Sequence, residues 1–169
     1  RAAVSTGDVD IAHTGAVSAI KQFRELAAAG KLQYVEQRGD TEVTFVQLNL
    51  EAPPFDDLRA RRAVALATDN RAWVDVIAQG VTTPATSVFR PTSKWYAEAG
   101  FLAFDPAAAT EEVAASEAAT GQPLRFSLSV IGTPLGRQQG EFLKQMWEEV
   151  GMQVEVRQVD AATLIVDGA

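Results

Sequence analysis

The chain has no cysteine, which excludes disulfides, thiolate metal sites and cysteine nucleophiles together and leaves the compartment open, because many exported proteins lack cysteine too. Histidine is almost absent: His13 stands alone, and with no D-x-D-x-D-G pattern the sequence offers no metal-ligand spacing and no cofactor to expect. Neither a P-loop nor G-x-G-x-x-G opens a helix after a strand, and no G-x-S-x-G elbow occurs. No run of about 18 apolar residues is present, so no segment reads as a membrane-spanning helix. The amino end, RAAVSTGDVD, has no signal-peptide hydrophobic core, and an export signal is expected upstream of Arg1. Positive charge is scarce as well: 15 Lys and Arg against 22 Asp and Glu give a net charge of −7 and a pI near 4.7. Such a chain repels phosphate backbones and anionic membranes on average, and its one basic cluster, Arg59, Arg61 and Arg62, sits beside Asp56 and Asp57. Nucleic-acid binding is not expected.

What is present is ordinary globular composition, 47% hydrophobic and 22% charged over 169 residues. A domain of this size buries roughly 68–70% of its unfolded surface, enough for a real core. RAAVSTG reads as the last turn of a helix stopped by Gly7, and a helix starts again at Ala161 to Ala169, so both ends read as interruptions of a longer text. Val17, Ile20, Phe23 and Leu26 recur at helical spacing between Gly15 and Ala29. Strands are expected at Val9 to Ala12, Leu32 to Glu36, Val43 to Leu50, Leu124 to Ile131 and Met152 to Val159. Asp56 or Asp57 caps a helix from Arg59 to Thr68; Asp69 caps a second from Asn70 to Gln79; Asp105-Pro106 opens a third from Ala107 to Ala119. Pro134 to Val150 is amphipathic, with Leu135, Phe142, Leu143, Met146, Trp147 and Val150 inward. Val81 to Phe104 reads as a long loop held down by its aromatics. The order of elements is α/β, with a mixed sheet flanked by helices and a crossover from Leu124 through the Phe142 helix to Val154.

Little of this text carries chemistry. His13 has no adjacent nucleophile or orienting carboxylate in sequence, so it is read as a residue on a loop, with ligand contact as the alternative. Asp56 and Asp57 are worded as a helix cap rather than an acid/base pair, and Arg59 and Arg61 are expected to pair with them. Trp95 and Tyr96 either pin their loop or face a ligand, and pinning is the expectation; Trp73 and Trp147 are core.

As one string, Asn49-Leu50-Glu51-Ala52-Pro53-Pro54-Phe55-Asp56-Asp57-Leu58-Arg59-Ala60-Arg61-Arg62-Ala63-Val64, then Ala67-Thr68-Asp69-Asn70-Arg71 and Val74-Asp75, strongly resembles the signature of solute-binding proteins of peptide and nickel ABC importers, family 5 of the extracellular binding proteins. Gly7 to Ala12, Phe104-Asp105-Pro106 and Glu149 to Val156 fall in that family's order, so the resemblance covers nearly the whole chain. Departures occur at Asn70-Arg71, where the family's arginine is shifted by one residue. In the Asp105-Pro106 helix, Glu112-Val113 replaces a Leu-Leu pair and Ser116-Glu117 an Ala-Gly pair.

The resemblance implies a partial periplasmic-binding-protein type II fold: residues 1–44 would be the tail of a first lobe and 45–169 the core of a second, with the crossing at Asn49. It implies a monomeric, non-enzymatic extracytoplasmic protein, periplasmic or lipid-anchored, that binds a short peptide or other small solute and delivers it to membrane permease subunits. The alternative is a sensing module docking on a receptor. Ligand contacts would come from His13, Thr14, Asn49, Arg90, Trp95, Tyr96 and Gly132, the last at a strand's carboxyl end, where open α/β sheets bind ligands.

Overall fold

Aspartate and threonine caps set the start of five of the seven helices in the computed structural model, which describes residues 2–36 and 43–167. Helices α1 (Ala2–Thr6) and α2 (Val17–Ala28) come first. Of the two candidate aspartates, Asp57 caps α3 (Leu58–Ala67), its Oδ1 accepting from the Arg59 amide at 3.0 Å. Asp69 Oδ1 accepts from the amides of Arg71 and Ala72, both at 2.9 Å, and starts α4 (Asn70–Val76). Asp105 accepts from Ala108 at 3.0 Å to start α5 (Pro106–Thr120), which ends on Gly121 at φ 69°. A cap of this kind stabilises by about 1 kcal/mol because it satisfies an amide that the helix leaves orphaned.

The expected crossover is there. Strands β1 (Arg125–Ile131) and β2 (Gln153–Val159) pair in parallel, Phe126 opposite Val154 and Leu128 opposite Val156. Helix α6 (Pro134–Glu149) joins them, and α7 (Ala161–Asp167) follows β2. Two glycines let α6 lie close on the strands. A Cβ at Gly140 would come within 2.9 Å of Val156 Cγ1 and 3.0 Å of Val130 Cγ1, and one at Gly136 would run into the Ile131 carbonyl oxygen.

One core holds α3, α5, α6 and the sheet. Trp147 of α6 is wholly buried, its ring 5.5 Å from that of Phe126, which in turn lies 4.9 Å from Phe55. Its indole N–H donates to Thr68 Oγ1 at 3.0 Å, and that hydroxyl donates to the Val64 carbonyl at 2.6 Å. Burying an aromatic of this size contributes about 4–6 kcal/mol. Helices α3 and α5 approach through small residues, Ala60, Ala63, Ala67 and Ala109, with Val113 beside them.

The three polar departures from the family pattern in α5 all find partners. Glu112 pairs with Arg62 of α3 at 3.6 Å. Ser116, buried, donates to Asp57 Oδ2 at 2.8 Å, and Glu117 Oε1 accepts from the Leu124 amide at 3.0 Å. Asp57 thus caps α3, pairs with the Arg59 guanidinium at 3.0 Å and receives Ser116; the Arg59 bond is the main cause that holds its carboxyl below the ordinary 3.8.

Some expectations fail. Val9 to Ala12, Leu32 to Glu36 and Val43 to Leu50 are not strands: among the described residues the sheet is the β1–β2 pair. Branched and aromatic residues favour extension, but a strand needs a neighbouring edge to pair with, and here Ile11, Val35 and Phe45 lie exposed. Leu135, expected inward, faces solvent. Arg61 donates to the carbonyls of Phe55 and Asp56, at 2.8 and 3.0 Å, instead of pairing with a carboxylate. The 81–104 loop is not pinned by its aromatics, since Trp95 is 66% exposed and Phe101 52%; its buried anchor is Ser87, which donates to the Ala97 carbonyl at 2.8 Å.

Replacing Thr68 by valine leaves the buried indole N–H without an acceptor, and urea unfolding should show a loss of about 1–3 kcal/mol. Gly136→Ala should cost more than Gly140→Ala in the same assay, because the first meets backbone and the second only movable methyls. Asp57 has a depressed folded pKa, so its contribution is present above its unfolded value near 3.8 and is lost as pH falls through the lower folded value. The stability gap between the native protein and Asp57→Asn should therefore stay constant from neutrality down to about pH 5 and close below the ordinary carboxylate value; a gap independent of pH would contradict the assignment.

Candidate functional site

The seven candidate residues lie in four stretches of the chain. His13 and Thr14 precede α2; His13 is exposed, and Thr14 Oγ1 accepts from the Ala16 amide at 3.1 Å, a local turn that starts the helix. Asn49 is exposed, and its Oδ1 accepts from the Glu51 amide at 3.0 Å, turning the chain toward the cis Pro53–Pro54 bond. Gly132 follows β1, its amide donating to the Val159 carbonyl at 2.8 Å, which extends the sheet by one rung. Beside it Thr133 caps α6, accepting from Gly136 at 3.0 Å, and Asp160 caps α7, accepting from Thr163 at 3.0 Å. Both helix starts thus stand at the carboxyl ends of the strands.

Arg90, Trp95 and Tyr96 are brought together by the turns of one loop. The Ser93 amide donates to the Arg90 carbonyl at 2.9 Å, the Tyr96 amide to the Ser93 carbonyl at 3.0 Å, and the Trp95 amide to Ser93 Oγ at 3.2 Å. Lys94, which the sequence reading passed over, places its Nζ 4.9 Å from the centre of the Trp95 ring. The adjacent lysine and tryptophan in a proline-bearing loop were the available signal. The side-chain hydrogen bonds of Thr14 and Asn49 are local to their own turns.

A shallow depression on α6 is lined by Glu141, Lys144, Gln145, Glu148 and Glu149, and none of the seven borders it. Its walls are a solvated helix face, with the Lys144–Glu148 pair at 3.8 Å. Among the described residues, no group of three His, Cys, Asp or Glu is placed to hold a metal ion, and no helix is long and apolar enough to cross a membrane.

Residues 1–168 match the model of the family described as bacterial extracellular solute-binding proteins, family 5 middle. Heme-binding protein A of Haemophilus influenzae is 27% identical over 126 residues, covering 72% of this chain and 23% of that protein. Di/tripeptide-binding protein 3 of Pseudomonas aeruginosa is 26% identical over 138 residues, covering 79% and 26%. The crystal structure of NikA from Brucella suis in complex with Fe(III)-EDTA superposes with a TM-score of 0.61 at 25% identity, over 71% of this chain and 26% of that one. The chain therefore spans about a quarter of the length of these relatives. Its α/β architecture is part of a periplasmic-binding-protein type II fold. With a match over nearly its full length, the chain belongs to the family 5 bacterial extracellular solute-binding proteins.

Proposed function

We propose that this chain is part of an extracytoplasmic binding protein that captures a short peptide, or a related small solute, and hands it to the permease of an ABC importer. The observation that carries the reading is the family match over residues 1–168. A di/tripeptide-binding relative supports the peptide assignment. The protein acts as a monomer outside the cytoplasm, in the periplasm or lipid-anchored at the surface, and binds without turning its ligand over.

Residues 1–44 form the tail of one lobe and 45–169 the core of the other. Support comes from the core cluster, whose members run from Phe55 to Val154 and include nothing from α1 or α2. Closure of two lobes over a ligand concentrates the backbone change in a few crossing residues, and Asn49, locked in a turn just before Pro53, is such a crossing.

Equilibrium dialysis of the protein at its natural length against pooled di- and tripeptides should show retention at micromolar concentration. No retained peptide, with heme and metal chelates also excluded, would end the binding-protein reading.

A further inference from the structure

Of the two arginines expected to pair with Asp56 and Asp57, Arg61 goes to the backbone. Its Nη1 donates to the carbonyls of both Phe55 and Asp56, at 2.8 and 3.0 Å. Those carbonyls lie in a run of turns that leads into α3. There the Ala52 carbonyl accepts from the Phe55 and Asp56 amides at 3.1 and 3.2 Å, and the Pro54 carbonyl accepts from the Asp57 amide at 3.3 Å. A carbonyl in such a run has no ladder to join, and a cation that serves two of them fastens the run to the helix that follows.

The anchorage continues inward. Phe55 is buried, its ring 4.9 Å from that of Phe126 on β1, and Asp57 receives the Ser116 hydroxyl from α5. Upstream the chain is held differently: residues 43–49 form neither helix nor strand, and Phe45 is 74% exposed and Leu50 57%. The boundary between the loosely covered stretch and the fastened one falls at Ala52.

We infer that Arg61 is a positioning residue for lobe closure: by holding the entry turns onto α3, it confines the backbone change of closure to residues before Ala52. This rests on the two-lobe reading and goes beyond it, naming the side chain that limits where the crossing bends. A crossing that bends on one side only leaves the open protein fewer orientations to give up when a ligand is captured. Because a single nitrogen makes both bonds, a lysine ammonium serves in its place, whereas methionine fills the space without a donor.

The test uses the protein at its natural length, without ligand, as Arg61→Met and Arg61→Lys. Backbone hydrogen exchange read by mass spectrometry should speed up about tenfold over residues 52–58 in Arg61→Met and return toward the native rate in Arg61→Lys, with residues 142–150 around Trp147 unchanged. Spin labels at Lys21→Cys on α2 and Gln145→Cys on α6, both exposed positions, report the spread of distances between the lobes. That spread should widen in Arg61→Met and narrow again in Arg61→Lys. Unchanged exchange over 52–58 overturns the inference, and so does acceleration that reaches 142–150 in both variants, because Arg61 then serves the core. Faster exchange with an unchanged spread overturns it too, since the contact then only stabilises the start of α3. A Gly-Gly insertion between Gln47 and Leu48 separates the inference from the reading beneath it. If the insertion widens the spread and Arg61→Met does not, the lobes stand and the inference falls; if the insertion leaves the spread unchanged, both fall.

Discussion

The burial of Trp147, with its one polar atom satisfied, is the constraint on which the rest of the structure depends. The side chain stands on α6 but reaches Thr68 at the end of α3 and Phe126 on β1, so three elements distant in sequence converge on one indole. An apolar residue there would fill space without specifying where α3 must end. The hydrogen bond specifies it, because a buried N–H without an acceptor costs more than a well-packed alternative. Thr68 serves twice, accepting from the indole and donating to the Val64 carbonyl, and the C-terminal turn of α3 is fixed in the same contact.

Around that core, α5 is fastened by polar residues of its own. The family pattern has small or apolar residues where Glu112, Ser116 and Glu117 stand, and each of these reaches a different neighbour: Arg62, Asp57 and the Leu124 amide. Ion pairs as exposed as Arg62–Glu112 contribute little, about 0–1 kcal/mol. The Ser116–Asp57 bond counts for more because it is half-buried and joins the cap of α3 to the middle of α5. Polar substitutions in a helix that otherwise packs through alanine are tolerated here because none is left unpartnered.

Helix starts were legible because capping is local: Asp57, Asp69 and Asp105 sit two or three residues before the amides they satisfy. The crossover was legible for a similar reason, since alternation in Leu124 to Ile131 and Met152 to Val159 brackets a helix with a plain apolar face. Strands at Val9, Leu32 and Val43 were misread because side-chain composition reports a preference for extension and says nothing about a partner edge. The loop aromatics were misread as anchors for want of information about burial, and the actual fastening, Ser87 to Ala97, spans ten residues without any motif. Family membership was readable from the Asn49 to Asp75 string, whereas Lys94 over Trp95 needed coordinates to be noticed.

The separation in sequence of the contacting residues has a consequence for how the chain assembles. Arg125 and Gln153 bond across 28 positions, while Trp147 and Thr68 bond across 79. Closing the longer loop costs about 0.9 kcal/mol more in chain entropy. Parallel pairing with its crossover helix is thus the more local unit: it can bring Phe126 to Trp147, whereas the indole N–H gains its acceptor only when the end of α3 docks. The most deeply enclosed residue thus takes its last cover from the least local of its contacts.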